Sequence, residues 1–176
     1  MLEDYNPYKY LRQAQTSKFK ELLYPILLIL ASFILSYFLE SDLLIFISLA
    51  GFIWYIYVSI RYRIHRIIPL EINSNIILAP INSRVIEIAG NKITLRKKWY
   101  YNCDLRTAAA FKLNLELTTA KSVWFESENT LPGKLVGIVP RPAICELEIP
   151  DDFQIKINKG EKLIAGESVI AFITEN

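Results

Sequence analysis

Two long, uninterrupted apolar stretches occupy the first third of the chain, and short alternating stretches follow them. The first runs from Leu22 to Leu39 and the second from Leu43 to Ile60, and neither contains a charged residue. As a helix, each would be about 27 Å long, close to the thickness of a bilayer's hydrocarbon core. Only helices or closed barrels satisfy the backbone in hydrocarbon, and neither stretch alternates. The pattern therefore predicts two membrane helices.

The polar break between the two stretches, residues 40–42, is short enough for an antiparallel helical hairpin. Pro25 is predicted in the first turn of the first helix, where its missing N–H costs little. A hairpin that dips into the bilayer without crossing it is one alternative. A cleaved signal peptide is another, but no small-residue cleavage site follows the first stretch, and a second hydrophobic stretch comes at once.

Basic residues flank the outer ends of the hairpin, and its connecting loop has none. They are Lys9, Arg12, Lys18 and Lys20 before the first stretch, and Arg61, Arg63 and Arg66 after the second. The positive-inside rule then predicts a multi-pass membrane protein with both termini in the cytoplasm. Residues 1–20 also carry several aromatic side chains, which indicates either a short interfacial helix on the headgroups or a frayed tail.

From residue 67 onward the pattern changes to short β-branched runs separated by turns. A strand–turn–strand unit is predicted over 84–95, with further strands at 71–80, 113–117, 122–125, 134–139 and 143–149. The closing stretch 153–173 has tight turns at Gly160 and Gly166. Only residues 106–112, with three alanines, predict the start of a short helix. The predicted organisation is an N-terminal segment (1–20), a transmembrane hairpin (21–66) and a cytoplasmic all-β domain (67–176).

Composition and charge exclude several classes of function. From residue 67 onward, 13 Lys and Arg balance 13 Asp and Glu, so no basic face for nucleic acid is indicated. Cys103 and Cys145 lie far apart, which argues against a disulfide framework or zinc site and predicts half-buried reduced thiols. The single histidine, His65, precedes the β domain, which removes histidine-based catalysis and metal binding from it. No cofactor and no metal are predicted.

Two passages carry a family resemblance. Residues 77–88, ILAPINSRVIEI, and the closing residues 157–173 resemble the two halves of a barrel-sandwich hybrid. With the N-terminal hairpin and the basic stretch ending in Ile68-Pro69, the layout is similar to that of the short, membrane-anchored phosphatidylserine decarboxylases. The resemblance implies a barrel-sandwich-like β domain and a role with phospholipids.

The chain departs from that family at its catalytic positions. The family's strand Asp falls at Asn82, its catalytic His has no counterpart in residues 112–124, and no Gly-Ser follows Ile173. An amide cannot act as a base, and without the serine no pyruvoyl electrophile can form. The resemblance therefore implies a non-catalytic relative.

A candidate binding surface remains. Arg96, Lys97 and Lys98 precede Trp99 and two tyrosines, a composition suited to anionic headgroups at a membrane; the alternative is the solvated edge of a hairpin. Arg141, between two prolines, resembles an Arg-bearing segment of the decarboxylases and could reach a phosphate or carboxylate. Its alternative is an ordinary loop cation.

The leading hypothesis is a membrane-anchored, decarboxylase-like, non-catalytic protein that binds phospholipid headgroups, with anionic lipids, a partner protein or a second copy as possible partners. One rival is a diverged decarboxylase of phospholipid biosynthesis, acting alone or with a partner that supplies the serine. The other is an adaptor of the membrane-fusion type. Adaptors of that type have a long helical hairpin between the barrel halves, whereas residues 91–134 predict strands.

Overall fold

The computed structural model describes residues 7–39, 41–65, 75–125 and 131–173. Two helices come first, α1 Pro7–Leu39 and α2 Asp42–Arg61. The strands that follow are β1 Ile76–Leu78, β2 Ser83–Ala89, β3 Lys92–Lys97, β4 Asp104–Arg106, β5 Asn114–Thr119, β6 Val123–Trp124, β7 Leu135–Ile138, β8 Ala143–Glu148, β9 Phe153–Ile155, β10 Lys162–Leu163 and β11 Val169–Ile173. The predicted order of two apolar helices followed by a β-rich domain is confirmed.

Both helices are long and apolar enough to cross a membrane. In the most apolar 18-residue segment of each helix, only 17% of the residues of α1 and 11% of those of α2 are buried. Most apolar side chains of these segments therefore face outward. The helices pack closely on each other at small residues: a Cβ on Gly51 would lie 2.8 Å from Ile29, and the Ser32 and Ser48 hydroxyl oxygens are 2.7 Å apart. Small residues at the contact are typical of helix pairs in bilayers.

The first helix is longer than the sequence predicts. Residues 7–20 continue the apolar part of α1 and do not form a separate interfacial segment, while residues 1–6 lie outside the described part. This extension is held by the β domain, because Tyr10 stacks on Phe125 at 6.2 Å between ring centroids and Ala14 is buried. The prediction that Pro25 occupies a first turn is wrong, since Pro25 lies in the interior of α1.

The strands form three open sheets. Their orders are β1-β11-β9, β10-β2-β3-β8-β5 and β4-β7-β6. The β2–β3 hairpin turns at Gly90, whose φ of 59° lies in the left-handed region that glycine adopts without strain. Buried aliphatic residues from all three sheets share one core, including Ile77, Leu105 and Leu147. A second cluster joins α1, α2 and the β4-β7-β6 sheet.

Most of the predicted strands are found. The 84–95 unit corresponds to β2 and β3, and the predicted strands at 113–117, 122–125, 134–139 and 143–149 correspond to β5, β6, β7 and β8. The turns at Gly160 and Gly166 have positive φ of 88° and 74°. Residues 71–74 of the first predicted strand lie outside the described residues.

The helix predicted within residues 106–112 is absent. The Thr107 carbonyl accepts a hydrogen bond from the Gly133 N–H at 2.8 Å, and the Ala108 carbonyl accepts one from the Leu78 N–H at 2.7 Å. These backbone groups are therefore committed to neighbouring segments and cannot form the hydrogen bonds of a helix. Ala108 and Ala109 serve as small buried residues of the core.

Candidate membrane-interface site

Buried ionic contacts fix the β domain to the base of the helical hairpin. Arg61, the last residue of α2, is 5% exposed, and its Nη2 lies 3.7 Å from Glu21 Oε2 in α1. Its Nε donates to the Pro140 carbonyl oxygen at 3.1 Å. Glu21 also pairs with Lys121. Both helices and the loops after β5 and β7 therefore meet at one level, where the apolar part of the hairpin ends.

An aromatic turn lies at that same level. It comprises residues 98–101, directly after β3, and the Trp99 ring lies 5.4 Å from the Tyr57 ring, one helical turn before the end of α2. Trp99 is 41% exposed, and Lys98 Nζ lies 5.7 Å from the Tyr100 ring. Trp and Tyr favour the boundary between hydrocarbon and water, since one end of the ring is apolar and the other polar. The turn thus presents aromatic and cationic groups beside the apolar helices.

The structure separates the three consecutive cations that the sequence groups together. Arg96 is exposed on β3 and lies opposite Arg84 of β2. Lys97 is fully buried, and its Nζ donates to the carbonyl oxygens of Lys98 at 3.3 Å and Tyr101 at 3.0 Å. Successive residues of a strand face opposite sides, which is why the neighbour of an exposed Arg96 points inward. The prediction that Lys97 is a surface cation is therefore wrong. Its buried side chain instead supports the turn from inside the domain.

Arg141 lies at the same end of the domain. It is exposed in the loop after β7, directly beyond Pro140, whose carbonyl is held by Arg61. Lys97 pairs with Ala143 across β3 and β8, so the turn after β3 and the loop before β8 lie at the same end of this strand pair. Of the predicted surface residues, Arg96, Lys98, Trp99 and Arg141 are exposed at this end of the domain, whereas Lys97 is buried.

Burial also changes the acid–base properties of this region. It lowers the pKa of Lys97 to about 8, and it raises the pKa of both Cys103 and Cys145 to about 12. The cysteines are fully buried, where the sequence predicts half-buried thiols. A buried neutral thiol is a poor nucleophile, so we expect neither cysteine to react with thiol reagents in the folded protein.

Raising the pH from 7 to 9 is expected to stabilise the folded protein through Lys97. In this window the unfolded chain keeps the Lys97 proton, because its pKa is 10.5, while the folded protein releases it around pH 8. The unfolded state then binds more protons, so the contribution of Lys97 to the free energy of unfolding rises by about 1 kcal/mol. Urea unfolding of wild type and Lys97→Met across this range measures it. An equal pH dependence in both proteins would contradict the assignment.

Asn82, which the sequence resemblance aligns with the catalytic Asp of the decarboxylases, lies in a buried polar cluster. Its Nδ2 donates to Asp104 Oδ1 at 2.8 Å, and its Oδ1 accepts from the Ala165 N–H at 3.2 Å. Asp104 Oδ2 also accepts from Arg106 Nε at 3.0 Å. The amide thus uses its donor and its acceptor to join β4 to the turn before β11. These are the contacts of a structural residue.

Sequence reasoning missed Asp104 and Arg106. The one available signal was their spacing of two, which places both side chains on the same face of a strand. Arg106 Nη1 donates to the Gly133 carbonyl at 2.8 Å, and Nη2 donates to the carbonyl of His65, just beyond α2. The pair therefore ties the strand β4 to the chain that leaves the hairpin. Within residues 7–39, 41–65, 75–125 and 131–173, no group of His, Cys, Asp and Glu could hold a metal ion.

No model of a known protein family matches this chain, and no curated protein or solved structure matches it either.

Proposed function

We propose that this protein is a membrane-anchored, non-catalytic protein, similar in layout to a phosphatidylserine decarboxylase, whose β domain binds anionic phospholipid headgroups. The contact between Trp99 and Tyr57 carries the proposal, because it holds the aromatic turn at the end of an apolar helix. In a bilayer spanned by α1 and α2, this level coincides with the headgroups. Lys98 precedes Trp99 in this turn, Arg141 is exposed in the loop at the same end of the β3–β8 pair, and Arg96 precedes the turn on β3.

The expected strength follows from membrane electrostatics. An anionic leaflet attracts each nearby cation by about 1 kcal/mol, and the attraction decays within roughly 8 Å at physiological salt. Lys98 and Arg141 together should then enrich anionic lipid beside Trp99 on the order of thirtyfold, since each 1.4 kcal/mol is a factor of ten.

Two features support the non-catalytic and decarboxylase-like parts of the proposal. Asn82 is engaged at both ends of its amide, so the position of the family's Asp is structural here. The two halves of the resemblance also meet, since β1 pairs with β11 and β2 pairs with β10. These pairings favour a barrel-sandwich-like arrangement. The described chain between the halves is made of strands, which argues against an adaptor of the membrane-fusion type.

Energy transfer from Trp99 to labelled lipid tests the proposal. The full chain, with Trp54→Phe and Trp124→Phe so that Trp99 is the single donor, is placed in phosphatidylcholine nanodiscs with a trace of dansyl-phosphatidylserine. We expect more transfer than with dansyl-phosphatidylcholine, and a decline of the difference with added salt. The double variant Lys98→Gln and Arg141→Gln should lose most of it.

The matched control is the double variant Lys156→Gln and Lys159→Gln, which removes two exposed cations from the loop after β9. It should leave the transfer unchanged. If the protein that keeps Lys98 and Arg141 transferred energy equally to the anionic and the neutral lipid, the proposal of headgroup binding would be wrong.

We further propose that the β domain and both termini lie in the cytoplasm, because the flanking Lys and Arg attract the hairpin ends to that side. The substitution Lys159→Cys introduces one exposed cysteine, and its labelling shows on which side of the membrane the β domain lies. Cys103 and Cys145 are buried, so we expect them not to react. In intact cells it should react with an impermeant maleimide only after the membrane is permeabilised. Labelling before permeabilisation would reverse the orientation.

A further inference from the structure

An open groove of about 790 Å³ runs between the N-terminal part of α1 and the strand β6. One wall is the face of α1 from Tyr8 to Ser17, with side chains at helical spacing, and the other is residues 123–125. This groove is separate from the aromatic turn at residues 98–101. Its volume falls within the range of ligand-binding clefts, about 300–1,000 Å³.

The strand that borders the groove has an unused edge. β6 is the outer strand of the order β4-β7-β6. The Phe125 N–H donates to the Val136 carbonyl at 2.8 Å, and Trp124 lies opposite Gly137. Pairs alternate between hydrogen-bonded and non-hydrogen-bonded in an antiparallel ladder, so the N–H and C=O of Trp124 point away from β7. In the described part of the chain, no strand pairs with that edge.

The groove is cationic. Lys9 and Arg12 are exposed and lie about one helical turn apart on the α1 wall. None of the described residues that line the groove is an Asp or a Glu. Trp124, 52% exposed, and Phe125 add aromatic surface opposite the cations. An occupant that complements these walls carries negative charge and some apolar surface.

The distance of these cations from the apolar part of the hairpin favours a peptide over a lipid as the occupant of the groove. The uncharged stretch of α1 begins at Leu22, so at 1.5 Å per residue Arg12 lies about 15 Å and Lys9 about 20 Å beyond it. The headgroup layer on one side of a bilayer is only about 5–8 Å thick. In a bilayer whose hydrocarbon core begins at Leu22, both cations would therefore lie above the headgroups, in water.

We propose that the groove binds an acidic, extended segment of a partner protein, added as a strand to β6 and lying along α1. The helix wall is about 14 Å long, which matches about four residues of extended chain. The main chain of the segment would bond to Trp124, and its acidic side chains on one face would meet Lys9 and Arg12. This site is independent of the headgroup site.

A peptide library tests the proposal on the full chain in phosphatidylcholine nanodiscs. The probes are fluorescein-labelled hexapeptides in which glutamate and apolar positions alternate, and the library varies each apolar position over all apolar residues. Binding is measured by fluorescence anisotropy. We expect members that bind and that lose at least about tenfold in affinity when the protein carries Lys9→Glu and Arg12→Glu. The matched charge reversal, Lys156→Glu and Lys159→Glu, should leave the affinity unchanged.

N-methylation of the backbone nitrogen that meets Trp124 should abolish binding to the unsubstituted protein, because strand addition needs that N–H. This arm does not depend on the folding of a variant. The proposal is overturned if no library member binds, or if N-methylation and the charge reversal at Lys9 and Arg12 both leave affinity intact. It is also overturned if that reversal weakens contact with anionic lipid in phosphatidylserine nanodiscs while peptide affinity is unchanged, since the groove would then face the membrane.

Discussion

Replacing Asp104 with alanine is expected to lower the free energy of unfolding of the protein by about 3–5 kcal/mol. The carboxylate is fully buried, and it accepts hydrogen bonds from Asn82 Nδ2 and Arg106 Nε. Its loss takes from the buried guanidinium of Arg106 the carboxylate that lies 3.0 Å from its Nε, and removing one partner of a buried ion pair is costly. Urea unfolding of the full chain in neutral nanodiscs, followed by circular dichroism, measures the change.

Two further variants make this result specific. Glu146→Ala removes a carboxylate from the exposed face of β8 and should change stability by less than about 0.5 kcal/mol. The double variant Asp104→Ala and Arg106→Met should be less destabilised than Asp104→Ala alone, because the guanidinium that loses the Asp104 carboxylate is then removed as well. If Asp104→Ala were as stable as wild type, the cluster would not hold the β domain together.

Replacing Arg61 with alanine is expected to loosen the β domain from the helical hairpin, at a cost of about 2 kcal/mol. The value is below that of a fully buried pair, because the Glu21 side chain is 20% exposed and still pairs with Lys121. The substitution removes the hydrogen bond to Pro140 and the cation that lies 5.1 Å from the Tyr57 ring. Limited proteolysis in nanodiscs should release the β domain faster than from wild type.

The matched control is Arg63→Ala, which removes an exposed cation two residues later. It should be cleaved at the wild-type rate. Faster cleavage of both variants would mean that net charge near the hairpin, and not the contact of Arg61 with Glu21, governs the attachment.

The local elements could be predicted because their signals are local. An uninterrupted apolar stretch makes a helix in any apolar surrounding, and alternation with a glycine turn makes a hairpin such as β2–β3. The cationic and aromatic residues that flank Trp99 were also visible, since they are consecutive. Which of them reach the surface depends on strand register, and the register buried Lys97 while leaving Arg96 and Lys98 outside.

The errors share a different cause. Residues 106–112 have helical propensity, but neighbouring segments take their backbone hydrogen bonds, and propensity is weak against such contacts. Pro25 was assigned to a first turn because the apolar stretch begins near it, whereas packing of Tyr10 and Ala14 on the β domain extends the helix back to Pro7. In both cases residues distant in sequence decided the local conformation.

The sequence by itself therefore determined the two apolar helices and most of the strand content, since these depend on residue type and short-range period. Only the tertiary structure decided the rest. It brought Asn82, Asp104 and Arg106 into one buried cluster and placed the groove cations Arg12 and Lys9 about 15–20 Å beyond the apolar stretch. Hydrogen bonds and ion pairs between residues far apart in the chain leave no periodic trace in a sequence, so such sites emerge only when the chain is folded.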